Sequence, residues 1–429
     1  LDKLKKEELM KNTSIALPYH HSTIPLVIPD GMKVDIIKPP VAQTIANPEG
    51  MEKQQLMEFF EAHPQLAKST TVAIGVNDKT RPVPYDKLLP PLLDALHELG
   101  IGDQQITFVI ATGTHAPVPQ EEIDQLFPPD LVGSCRVITH DCDDADNLLF
   151  LGKTDRGTNV YVNKPFYQAE LRIVVGNIEP HHFMGFSGGA KTASIGLTGR
   201  QTIADNHSMI THPYAALAHY DDNPMRQDVE DIGRLIGVQL AVNAIIDEEF
   251  RILEILVGEP LDVMARGIPL VRNTCMTKVS HSYDLVIGSA GGYPKDINLY
   301  QAQKGLTHAI QVLRDGGVAI LVAACTEGIG SAGYEAFVRG EPSQAAVMEK
   351  FMTSGFKIGP HKAFQMARQA LRVNIIIVSE IPEADIRSLL LTPAASLDSA
   401  IASALTMLPP KPRMAVLPYA THTLAEVEE

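Results

Sequence analysis

Tryptophan is absent from the 429-residue chain and aromatics make up only 6% of it, so any core must be mainly aliphatic. Cysteine is nearly as scarce. Cys135, Cys142, Cys275 and Cys325 show no metal-ligand spacing, and four thiols so placed fit a reduced, cytoplasmic chain rather than a disulfide scaffold. No apolar run reaches the about 18 residues that a membrane span needs. The opening Leu1-Asp2-Lys3-Leu4-Lys5-Lys6 is not followed by a long apolar region, so no signal peptide is expected. Heptads, internal repeats and low-complexity tracts are also missing. Positive charge is in deficit, with 36 Lys and Arg against 51 Asp and Glu. The resulting net charge of −15 argues against nucleic acid as a partner. It also means that an anionic substrate would need a local basic clamp.

What is present points to α/β architecture. Hydrophobic residues make up 45% of the chain, enough for sizeable cores, and the length allows two or three domains at about 150 residues each. Short apolar runs at 71–76, 106–111, 135–139, 171–176, 240–246, 284–288, 318–323, 373–378 and 414–417 read as strands. Stretches at 85–99, 225–236, 261–277, 343–352, 361–371 and 396–408 read as helices, as where Leu89, Leu92, Leu93 and Leu96 repeat at helical spacing. Such alternation predicts mainly parallel sheets flanked by helices. We expect two such domains, 1–260 and 281–429, joined by a helical linker at 261–280. The last segment either stays with the second domain or returns to the first, and the site is expected in the cleft between them.

The segment His181-His182-Phe183-Met184-Gly185-Phe186-Ser187-Gly188-Gly189-Ala190-Lys191 is poorly explained by packing. Gly188 and Gly189 allow positive φ and close approach to backbone N–H groups, the usual way of cradling an anion. A lysine in mostly apolar company can lose its charge and become a nucleophilic amine. A plain tight turn followed by a solvated lysine explains Gly-Gly-Ala-Lys about as well. The stretch is not a P-loop, because Gly185 and Lys191 stand in the wrong register.

Other polar clusters follow probable strands: Asn-Asp-Lys-Thr-Arg-Pro at 77–82, Ala-Thr-Gly-Thr-His at 111–115, and the run into His181. Open α/β sheets bind ligands at such carboxyl ends, so three of them favour a shared site. Further on, Leu306, Ala309, Ile310 and Leu313 have the spacing of a buried helical face. Tyr300, Gln301 and Lys304 then fall within roughly 100° of arc on the other side, with Asp296 or Asn298 as cap. A solvated polar face is the ordinary explanation of that trio. The small-residue turn before it, Ser289-Ala290-Gly291-Gly292-Tyr293-Pro294, instead puts the helix start at a sheet edge, where Gln301 and Lys304 could hold a carboxylate.

Together these segments, with His207 and Tyr-Pro-Lys-Asp-Ile-Asn-Leu-Tyr-Gln-Ala-Gln-Lys at 293–304, resemble the nickel-dependent lactate racemase family, from about residue 70 to the C-terminus. The resemblance implies a racemase or epimerase of 2-hydroxy acids. Its cofactor would be pyridinium-3-thioamide-5-thiocarboxylic acid mononucleotide, which grips nickel as a pincer. Lys191 matches the lysine that carries it covalently, and His207 matches the protein ligand of nickel, a metal that suits neutral imidazole. Asp78, Ser187, Gly188 and Gly189 are expected around the cofactor, Asp78 also orienting a histidine. His115 and His181 match the acid/base pair on either side of the substrate. Arg81, Tyr300, Gln301 and Lys304 match the residues that hold its carboxylate. Cofactor-building proteins would be transient partners.

The implied chemistry suits these residue types. The C2 hydrogen beside a carboxylate is a poor acid, but it leaves more easily as hydride while a histidine takes the hydroxyl proton. Inversion needs such a group on each side, and arginine offers a bidentate fork for the carboxylate. Three features qualify the match. The tryptophan that packs near the cofactor in relatives is absent here, and Phe364 or His361 is expected in its place. Ala116 follows His115 where arginine is common. His182 should point away from His181, since neighbours on an extended segment face opposite sides. His140, His212 and His308 read as ordinary surface or hydrogen-bonded histidines. Three other readings remain: a non-enzymatic nickel-binding protein, a phosphate-binding transferase built on the Gly-Gly-Ala-Lys turn, and a racemase relative that has lost its cofactor.

Overall fold

Two sheets grow from the apolar runs, each in its own compact unit: Val41–Thr274, and Leu1–Pro40 together with Cys275–Glu429. The computed structural model describes residues 14–28, 31–81, 83–247, 249–354, 356 and 359–428. The opening basic stretch and Pro82 of the 77–82 motif lie outside the described residues.

In Val41–Thr274 the six-stranded sheet runs Ile252–Gly258, Leu240–Ile246, Leu171–Asn177, Val72–Asn77, Ile106–Ala111, Arg136–Thr139. All neighbours are parallel except the edge pair formed by Leu240–Ile246 and Ile252–Gly258. Alternation along the strands supplies the core: Val72, Ile74 and Val76 pack with Leu88, Leu92 and Leu96 of the helix Tyr85–Glu98. The chain starts at a central strand, moves outward through Ile106–Ala111 and Arg136–Thr139, then returns to the other side of Val72–Asn77. That reversal sets the carboxyl ends of Val72–Asn77 and Leu171–Asn177 side by side, the place where such sheets open a crevice for ligands.

The second unit carries a six-stranded, wholly parallel sheet: Thr392–Ala394, Asn374–Val378, Leu313–Val322, Tyr283–Ser289, Met414–Leu417, Val34–Ile36. Here the reversal falls at Tyr283–Ser289, so the turn after Ser289 occupies the equivalent position. Every strand and helix expected from apolar periodicity is present within a few residues.

The expected division of the chain needs correcting at two places, and one alternative left open is decided. The described residues before 41 do not join the first domain: Val34–Ile36 pairs with Met414–Leu417, and Ile15, Leu17 and Leu26 bury against Leu285, Ile287 and Val416. The 261–280 segment is no separate linker. Its helix, Pro260–Cys275, buries Val263 and Met264 in the first unit, and Met276–Val279 is already a strand of the second. The last segment stays in the second unit, where Leu424–Val427 pairs with Met276–Val279.

The helix Pro48–Ala62 lacks a clean apolar period because one of its buried positions is an acid. Glu52 is fully buried, and neither carboxylate oxygen has a hydrogen-bond partner among the described residues. Burial, with Glu49 nearby, pushes its carboxyl from 4.5 up to about 9. Glu52 therefore keeps its proton when folded and loses it when unfolded, between those two values. Stability drains away as pH rises through that window. Glu52→Gln should therefore unfold at higher urea than wild type near pH 8, by about 1–3 kcal/mol. Near pH 4 the two curves should coincide.

Candidate active site

Beyond Leu171–Asn177 the chain makes a small antiparallel pair, Pro180–His181 with Gly185–Phe186, closed by a turn at 182–184. It then enters Gly188 and Gly189, both at positive φ, +93° and +58°. A Cβ on Gly188 would lie 2.8 Å from Ile178 Cγ1, and one on Gly189 would lie 2.6 Å from Met264 Cγ. The glycines thus bring the turn hard against protein rather than opening a bare cradle. Gly189 N–H donates to Asn243 Oδ1 at 2.7 Å, and the buried Arg226 guanidinium donates to the carbonyls of Phe186 and Gly188 at 3.0 and 3.1 Å. Arg226 is itself held by Glu230, which also accepts from Tyr220.

This pinned turn delivers Lys191, at the start of the short helix Lys191–Ser194. Burial holds the Lys191 ammonium well below its ordinary range, and the charges of Arg81 and Arg226 push the same way, against the pull of Glu179. A neutral amine is the nucleophilic form of lysine. His207 ends the helix Arg200–His207. Burial, and then any charge that Lys191 carries, push its imidazole down to about 3, and burial alone already favours the neutral ring that suits a metal. The helix end is fixed by Asp228, which accepts from Thr154, Thr158 and Asn206 at 2.6, 2.9 and 2.9 Å.

His181 and His182 are both buried, and here an expectation fails. Their rings stack, with centroids 4.5 Å apart and planes 27° from parallel, instead of facing opposite sides. Extended backbone ends at His181, and the turn that follows swings His182 back. Phe183 packs edge-on against both rings and against His207, at 4.7, 4.3 and 5.4 Å.

The neighbouring strand ends meet in a dyad. His115 Nδ1 donates to Asp78 Oδ2 at 2.6 Å, while Thr80 donates to Oδ1 through N and Oγ1 at 3.1 and 2.6 Å. Burial alone would raise the Asp78 carboxyl, but His115, Thr80 and Arg81 hold it below the usual carboxylate range. Its charge fixes the His115 tautomer with the hydrogen on Nδ1 and a lone pair on Nε2. Arg81 is half-buried in the same loop, its N–H on the Asp78 carbonyl.

In the second unit, Asn298 caps the helix Leu299–Ala309 by accepting from Gln301 N at 3.0 Å. Asp296, the other candidate cap, is instead buried and accepts from the amides of His20 and Ala324. Leu306, Ala309, Ile310 and Leu313 are buried, and Tyr300, Gln301 and Lys304 are half-buried, as the spacing requires. Lys304 Nζ donates to Gln301 Oε1 at 2.7 Å. His361 meets the Tyr300 ring edge-on at 6.1 Å, and Lys362 Nζ stands 4.6 Å above it. Phe364 stacks on Phe351 instead, so His361 is the aromatic neighbour of the helix.

Comparison with known proteins shows the family to which the chain belongs. Residues 19–218 match the family model of the lactate racemase N-terminal domain, and residues 278–422 match that of the C-terminal domain. A lactate racemase from Lactiplantibacillus plantarum is 31% identical over 68% of this chain and 68% of its own length. The chain belongs to the lactate racemase family. It is thus an isomerase. The lactate racemase from Thermoanaerobacterium thermosaccharolyticum is 28% identical over 90% of this chain and 93% of that one. A structure of its apoprotein superimposes with a TM-score of 0.88 at 27% identity, covering 97% of this chain and all of that one. A Thermotoga maritima protein, 16% identical with a TM-score of 0.69, shares the fold.

Within this family member, several residues outside the expected set stand out. The Arg226–Glu230 pair, Asn243 and Thr80 hold expected site residues in place, and none was legible as such. An asparagine inside the apolar run 240–246 was the one available signal. Asp141, Cys142 and Asp143 could also gather a metal, but these are consecutive residues and Asp143 already pairs with Arg200 through both oxygens. The four cysteines form no disulfide, and no described helix is long and apolar enough to cross a membrane.

Proposed function

We propose that the enzyme racemises or epimerises a 2-hydroxy acid, lactate or a larger relative, with a nickel-pincer nucleotide attached to Lys191. The observation that carries this reading is that the glycine turn, pinned by Asn243 and Arg226, delivers Lys191 within electrostatic reach of the buried His207, with burial disfavouring the charged form of both. The residues fit the group on a second count. Ser187 Oγ, beside the glycines, is buried with no hydrogen-bond partner among the described residues. Lys191 would carry the nucleotide covalently, His207 would ligate nickel, and Ser187, Gly188, Gly189 and Asp78 would surround it. When bound, the cofactor would supply a hydride acceptor and donor for C2.

The remaining work belongs to side chains. Arg81, with Tyr300, Gln301 and Lys304, would clamp the carboxylate and offset the chain's overall negative charge. His115, oriented by Asp78, and His181 would handle the hydroxyl hydrogen. Proteins that build the cofactor would be transient partners in a cytoplasmic setting. A plain nickel-binding protein leaves the Asp78–His115 dyad without a purpose. A transferase that cradles phosphate on the glycine turn is disfavoured because Gly185 and Lys191 do not stand in P-loop register.

Intact-mass spectrometry tests the reading. Protein made together with the cofactor-building enzymes and nickel should carry an added mass on Lys191, and Lys191→Ala should carry none. Loaded protein would then be screened by polarimetry against D- and L-2-hydroxy acids of increasing size. An unmodified lysine under conditions that load a relative would overturn the proposal.

A further inference from the structure

We infer that the two imidazoles meet substrate in opposite tautomers, His115 as a proton acceptor and His181 as a neutral Nε2–H donor. This rests on the reading that both face the substrate hydroxyl. The geometry behind it is local to each ring. Met184 N lies 3.1 Å from His181 Nδ1, and a backbone N–H can only donate. Nδ1 must therefore present its lone pair, and a neutral His181 carries its proton on Nε2. Protonating Nδ1 would set two N–H groups against each other inside a buried turn. At His115 the partner is reversed: the ionised Asp78 can only accept, so Nδ1 bears the hydrogen and Nε2 the lone pair.

The difference comes from chain geometry. His181 ends its strand, and the turn at 182–184 folds the amide three residues later onto its ring. His115 lies in the loop after Ile106–Ala111, which parallel pairing sets beside the loop that follows Val72–Asn77. The two groups are thus complementary rather than equivalent. In the proton step, the substrate O–H bond breaks and a bond to His115 Nε2 forms. The resulting imidazolium is stabilised by Asp78, and the oxygen's electron pair would become the carbonyl bond with C2 losing its hydrogen as hydride, for which the cofactor, when bound, would supply the acceptor. His181 Nε2–H can hydrogen-bond the oxygen without losing its own proton, as an electrophile. For the enantiomer that presents its hydroxyl to His181, the Met184 contact must first open, so the two directions of racemisation start from unequal states.

Histidine-selective 15N NMR on the cofactor-free protein near neutral pH reads these tautomers. Signals would be assigned with His181→Gln, whose own resonances vanish, and Asp78→Asn, which perturbs His115. His181 should show a pyridine-type Nδ1 and a pyrrole-type Nε2, and His115 the reverse. The same tautomer on both rings, or a protonated Nδ1 on His181, would overturn the inference. Should His181→Gln fail to fold, a neutron structure of the deuterium-exchanged wild type shows the same atoms directly. The readout needs no cofactor, so a missing adduct on Lys191 and a wrong tautomer are separable failures.

Discussion

Arg226→Met should cost the folded protein about 3–5 kcal/mol, the usual penalty for leaving one member of a buried ion pair alone. Arg226 is completely buried, and Glu230 is 3% exposed. The guanidinium makes bonds to Glu230 and to two carbonyls of the glycine turn, and all of them disappear with methionine. Glu230 would then face Tyr220 as its remaining partner, with its charge uncompensated. Adding Glu230→Met removes that charge, and the double variant should recover part of the loss, because a buried pair replaced whole is often close to neutral. Denaturant unfolding of the three proteins measures both effects. Equal stability of single and double variants would show that the stranded carboxylate is not the cause. The same substitution should loosen the turn before Lys191, so the double variant separates global stability from the local clamp.

That pair also marks where reading the sequence stops. Arg226 and Glu230 stand four apart on a helix, the spacing of an ordinary solvent-exposed salt bridge. Nothing in the helical period says that both its faces are covered. Pro224–Ile236 buries Met225, Val229, Ile232 and Ile236, yet also Arg226, Asp228 and Glu230. The polar set is legible only once the glycine turn is known to lie on it.

The dyad was half legible. The strands before Asp78 and His115 were plain from their apolar runs, which predicted polar residues at their carboxyl ends. Their adjacency was not, since Asp78 and His115 are 37 residues apart. It follows from sheet order, with Asn77 beside Ala111 in a parallel ladder. His181 and His182 failed for a different reason. The two-residue period holds only while the backbone stays extended, and the strand ends at the first of them. Val34-Asp35-Ile36 was missed because three residues carry no measurable period, although they decide to which unit the N-terminal segment belongs.

His115→Gln should lower kcat of loaded protein by about 10²–10⁴-fold, the usual contribution of a positioned proton-transfer group. Glutamine roughly fills the space and can still hydrogen-bond, but it cannot take up a proton, so KM should move much less. Intact mass must first show equal loading of variant and wild type, so that lost rate is not lost cofactor. Asp78→Asn should lie between the two, because the imidazole remains but the charge that fixes its tautomer is gone. The same substitution should carry a stability signature with a definite sign. The folded Asp78 carboxyl sits below the ordinary value of 3.8, so its contribution is complete above that value and fades as pH falls through the lowered one. Wild type should therefore outlast Asp78→Asn in urea at neutral pH, and the gap should close in strong acid. Rates would be read on whichever 2-hydroxy acid the polarimetric screen selects, from each enantiomer separately. If His115 is the resident acceptor, its loss should fall harder on one starting enantiomer in the first turnover. Full activity of loaded His115→Gln from both enantiomers would assign proton transfer to another group and remove the basis for unequal imidazoles.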